Sequence, residues 1–66
     1  MQLSNEDIEY IKDNYDELVN IRLGKTIPST EMKEWLSHID KSVCLICNRK
    51  IQVLVGNIIY VYNKRK

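Results

Sequence analysis

The stretch SVCLICNRKIQVLVGNIIYVYN, residues 42–63, decides how this chain is read, because nearly every residue in it either favours an extended strand or makes a turn. Gly56-Asn57 separates two β-rich runs and reads as a two-residue hairpin loop, since glycine accepts positive φ at the first loop position. That register sets Val55 opposite Ile58, Val53 opposite Tyr60 and Ile51 opposite Tyr62. One hairpin face then carries Ile51, Val53, Val55, Ile58, Tyr60 and Tyr62; the other carries Lys50, Gln52, Leu54, Ile59, Val61 and Asn63. Val43 to Ile46 supplies a third strand.

Toward the N-terminus the period becomes helical. Ser4 is placed as an N-cap, Asp7 can reach back to it, and Leu3 can pack on Ile8, which together make a capping box with a hydrophobic staple. Ile8, Ile11, Tyr15 and Leu18 follow at spacings of three and four, and Gly24 stands where a left-handed residue ends a helix, so the first helix is expected over about residues 5–22. Pro28 breaks the chain. Ser29 or Thr30 can then cap a second helix, whose Met32, Trp35, Leu36 and Ile39 form an apolar stripe with Trp35 the largest core contributor. The expected fold class is therefore α+β: two N-terminal helices packed on a C-terminal two- or three-stranded antiparallel β-meander. The domain covers residues 1–63, with 64–66 as a basic tail.

A chain of 66 residues has room for one core. With 44% hydrophobic and 29% charged residues it is too apolar for a disordered tail, and it holds no apolar run long enough to span a membrane. No secretory signal is visible, which points to a soluble, cytoplasmic domain. The absence of Ala and Phe beside abundant Ile, Asn, Lys and Tyr matches an AT-rich gene, as in a low-GC bacterium, plasmid or phage. The net charge of +1 hides an asymmetry: residues 1–40 hold nine acids and four bases, a balance of −5, and residues 41–66 hold six bases and no acid, +6.

Cys44-Leu-Ile-Cys47 admits three readings. On a continuing strand the sulfurs point to opposite faces and act as small apolar groups; at a turn the pair can hold a metal ion or act as a redox couple. Cys44 to Ile51, Cys-x-x-Cys-Asn-Arg-Lys-Ile, resembles the zinc knuckle of zinc-ribbon proteins, although the second cysteine pair of that family is absent. The resemblance implies zinc only if two chains share it at a dimer interface, because a structural site needs four ligands. His38 beside Asp40 reads as a solvated helix-end residue favoured by the dipole, and there is no glycine-rich phosphate loop, so an enzyme is not expected.

Two helices cover one sheet face, which leaves Leu54, Ile59 and Val61 together in water, and such a patch marks a protein interface. The chain is accordingly read as a small non-enzymatic regulator or inhibitor of phage or mobile-element type. It would contact a protein partner, or a second copy of itself, through Leu54, Ile59, Val61, Tyr60 and Tyr62, with Arg49 and Lys50 as a charged rim. The alternative is a nucleic-acid-binding module. Residues 6–15 resemble the first helix of small phage helix-turn-helix proteins, but Glu31 and Glu34 make the second helix a poor phosphate ligand. Contacts would come instead from Arg49, Lys50, Lys64, Arg65 and Lys66, with Tyr60 or Tyr62 stacking on bases. A third reading makes Glu6, Glu9, Asp13, Asp16 and Glu17 the charges of a DNA mimic.

Overall fold

The computed structural model describes residues 2–65 and contains four helices: α1 (Asn5–Asp13), α2 (Tyr15–Arg22), α3 (Thr30–Ile39) and α4 (Asn48–Lys64). Among the described residues there is no strand, so the expected β-meander, and with it the α+β class, is overturned. The stretch that read as a hairpin is a 17-residue helix.

The physical reason lies in the spacing of its apolar residues. Ile51, Leu54, Val55, Ile58 and Ile59 recur at i, i+3, i+4, i+7 and i+8, and all five are buried. A hairpin would have split them between two faces and left one face in water, whereas a helix gathers them on one. Strand propensity spans only about 1 kcal/mol and yields to burial of this size. Gly56 sits mid-helix without positive φ, and Asn57 is exposed on the helix surface. Val43 to Ile46 is a turn-rich connection.

The N-terminal half follows its local signals. Ser4 Oγ accepts from the Asp7 N–H (3.1 Å) while Asp7 Oδ2 accepts from the Ser4 N–H (3.0 Å), completing the capping box. The single helix expected over residues 5–22 is divided at Asn14. Its side-chain amide donates to the Tyr10 carbonyl (2.9 Å) in competition with the backbone ladder, and its backbone leaves helical geometry at φ −119°. At the end of α2 the Gly24 N–H donates to the Ile21 carbonyl and the Lys25 N–H to the Asn20 carbonyl, a Schellman closure that needs the φ of +77° found at Gly24. Ser29 Oγ accepts from the Met32 N–H (3.2 Å) and caps α3.

The helices enclose a core in which Ile11, Leu18, Met32, Leu36, Val55 and Ile58 are fully buried. α2 and α4 run antiparallel: Tyr15 lies beside Tyr62, with ring centroids 5.9 Å apart, and at the other end Gly24 faces the Gln52 side chain. Trp35 stands at the rim rather than the centre. Its ring lies 4.6 Å from that of Tyr10, and its Nε1–H donates to Asp7 Oδ1 (3.2 Å), tying α3 to the first turn of α1. Partial burial pushes the Asp7 carboxyl up, but hydrogen bonds from Ser4 and Trp35, with the charge of His38, outweigh it and hold the group below the ordinary aspartate value.

Gly56 lies in the interior of α4. The nearest atoms a Cβ there would meet belong to the Arg22 side chain, at 3.7–3.9 Å, which is ordinary contact. Gly56→Ala is therefore expected to stabilise the fold by about 1 kcal/mol, the usual helix-interior difference between the two residues. Gly24→Ala is expected to destabilise by a similar amount, since φ is +77° and the new Cβ would lie 3.4 Å from Gln52. Urea midpoints check both. A loss of stability in Gly56→Ala would return that residue to a turn.

Candidate nucleic-acid interface

The outward face of α4 is set by the same period that buries the other side. Arg49, Val53, Asn57, Tyr60 and Lys64 follow one another at spacings of four, four, three and four, and all five are exposed. Val53 is 61% and Tyr60 60% exposed, unusual for large apolar groups on a packed helix. The Lys64 ammonium lies 5.1 Å from the centre of the Tyr60 ring, within cation–π range. At 1.5 Å rise per residue, Arg49 and Lys64 stand about 22 Å apart along the axis.

A residue from α2 completes this face. Arg22 lays its side chain across Gly56, with its Cγ, Cδ and Nε in van der Waals range of where a Cβ would stand. A shallow groove forms there, lined by Arg22, Arg49, Gln52, Val53, Asn57 and Tyr60 with Gly56 at its floor. None of these residues carries a negative charge, and α4 itself contains no acid. No local pattern in the sequence marks Arg22 for this face; only the antiparallel packing of α2 on α4 brings it to Gly56.

The residues expected to contact partners divide sharply. Leu54 and Ile59 are only 6% and 3% exposed and belong to the core, so the surplus apolar face disappears together with the sheet that required it. Val61 and Tyr62 are half-buried against that core, and Tyr60 alone of the five stands well exposed. Among the cations, Arg49 and Lys50 are exposed in the first turn of α4, and Lys64 lies in its last turn. Arg65 is no loose tail residue: its guanidinium donates to the Leu3 carbonyl (3.2 Å). Lys66 lies outside the described residues. In the N-terminal half of the chain Glu6, Glu9, Asp13 and Asp16 are exposed along α1 and the start of α2, with Glu17 half-buried.

Cys44 and Cys47 are joined as a disulfide, Cα atoms 5.3 Å apart, in the turn that leads into α4. Two cysteines bonded to each other offer a metal no thiolate, and among the described residues no group of three or more His, Cys, Asp or Glu side chains converges. His38 is exposed in the last turn of α3. No helix among the described residues is long and apolar enough to cross a membrane. Comparison with protein-family models, with curated proteins and with solved structures gives no match for this chain.

Proposed function

We propose that this chain is a small non-enzymatic module that binds double-stranded nucleic acid through the outward face of α4. The observation that carries the reading is the composition of that face: cations at both ends of the helix, Arg22 beside its middle, and no acid within α4 or the Arg22 groove, with Asp40 at the edge of the face beside Lys50. An α-helix about 10–12 Å across fits a major groove about 12 Å wide. Arg22, Arg49, Lys50 and Lys64 supply phosphate contacts, while Gln52 and Asn57 bring amides of the kind that pair with adenine edges and Val53 an apolar contact for a thymine methyl. The exposed acids concentrated in α1 and α2, against an acid-free α4, polarise the molecule and favour approach of a polyanion by α4.

Fluorescence anisotropy with a labelled DNA duplex of mixed sequence, titrated at several salt concentrations, tests this. Neutralising three or four phosphates predicts a slope of log affinity against log salt of about −3. If neither duplex DNA nor RNA binds at low salt, the reading fails. Saturable binding to an acidic peptide in place of nucleic acid would transfer the same face to a protein partner.

A further inference from the structure

We propose that Cys44 and Cys47 form a thiol–disulfide exchange site on the N-terminus of α4, accepting electrons from a thiol or dithiol. The inference is independent of the nucleic-acid reading and rests on a bonded pair whose two sulfurs have different surroundings. The Cys47 N–H donates to the Cys44 carbonyl (3.2 Å), so the two residues close one tight turn. Neither cysteine is fully buried, and Ile46 between them is 90% exposed, which leaves the turn open to a small reagent.

Cys47 is the N-cap residue of α4, and its side chain makes no capping hydrogen bond. The first intrahelical bond runs from the Ile51 N–H to the Cys47 carbonyl, so the N–H groups of Asn48, Arg49 and Lys50 precede the ladder. The positive end of the helix, with no acid in its first turn, favours a thiolate at Cys47. On the neighbouring connection between α2 and α3, the residues facing Asn48 and Ile51 are Gly24, Thr26, Ile27 and Pro28, and none of them titrates. Cys44 lies on the other side, in a hollow it shares with Lys50 and with the Asp40 carboxylate, which accepts from the Ser42 N–H (3.0 Å) and hydroxyl (2.7 Å). Cys47 is thus the better leaving group and Cys44 the sulfur that is attacked.

The step balances as two exchanges. A reductant thiolate attacks Cys44 Sγ, the Cys44–Cys47 bond breaks with its electron pair leaving on Cys47 Sγ, and a mixed disulfide forms between the reductant and Cys44. A second reductant thiolate attacks the reductant sulfur of that mixed disulfide, forming the oxidised reductant and releasing the Cys44 thiolate. Two thiols have then given two electrons, and their two protons are available to the protein thiolates.

The full chain is equilibrated in glutathione buffers of graded ratio, quenched with an alkylating reagent and weighed intact. One reversible two-electron transition is expected. In parallel, the rate of alkylation is followed against pH for Cys47 in Cys44→Ser and for Cys44 in Cys47→Ser. Cys47 is expected to half-react at least one pH unit below the value of about 8.5 for a free cysteine, and at neutral pH to react about tenfold faster than Cys44. The proposal is overturned if Cys47 titrates at or above the free-cysteine value, if the dithiol persists in fully oxidised glutathione, or if untreated protein holds the thiols on zinc. The buffer titration uses the unsubstituted chain, so it decides the question even where a serine variant does not fold. Loss of DNA binding would not register in either readout.

Discussion

Leu54→Ala is expected to lower the stability of the fold by about 3 kcal/mol, in the middle of the range for emptying a buried leucine site. Leu54 is 6% exposed and joins Ile51, Val55, Ile58 and Ile59 on the inner side of α4, so the truncation leaves a cavity that neighbouring helices can only partly close. For a chain of this length the total stability is roughly 3–10 kcal/mol. The substitution therefore consumes a large share of it, and a measurable unfolded population is expected at room temperature. Urea unfolding followed by helical circular dichroism gives the number. Val53→Ala, one residue earlier on the exposed side, is expected to shift stability by less than about 0.5 kcal/mol. Were Leu54 an interface residue on a free surface, the ranking would change: the monomer's midpoint would stay in place and sedimentation would respond instead.

The double reversal Arg49→Glu with Lys50→Glu is expected to weaken duplex binding by roughly 100-fold at moderate salt, because two phosphate contacts become two repulsions. The same change is expected to leave the fold intact or improve it. Both residues are exposed in the first turn of α4, where the dipole disfavours their present charge and favours an acid by about 0.3–1 kcal/mol per residue. Binding and stability should thus move in opposite directions, which a merely structural effect cannot produce. Anisotropy titration beside urea unfolding of the same preparation separates the two. Unchanged affinity in the double variant would remove the N-terminal half of the α4 face from the interface.

Stability contributions on the two sides of the molecule differ in kind. The Ser4–Asp7 capping box, the Gly24 closure and the Ser29 cap each satisfy backbone groups within one turn. The tie from Trp35 to Asp7 and the stacking of Trp35 on Tyr10 hold α3 to α1 across a sequence separation of more than twenty residues. Local signals of the first kind are legible in any sequence that contains them; contacts of the second kind are not.

The sequence by itself determined most of the N-terminal half: where α1 starts, where α2 stops, that α3 is capped at Ser29 or Thr30, and that Met32 and Leu36 face inward; the structure places the cap at Ser29. Each of these depends on an orphaned N–H, a positive φ or a three-and-four spacing, properties carried by a few consecutive residues. The C-terminal half held two competing patterns. Alternation around Gly56-Asn57 favoured a hairpin, while Ile51, Leu54, Val55, Ile58 and Ile59 already stood at helical spacing. Val and Ile lose only tenths of a kilocalorie per mole in a helix, and a mid-helix glycine about 1 kcal/mol. Packing against α1 and α2 exceeds both, because it buries all five residues at once. Only the tertiary structure decided that choice, and with it the placing of Leu54 and Ile59 inside. It alone also laid Arg22 across Gly56, since no local rule connects residues thirty-four positions apart until two helices lie side by side.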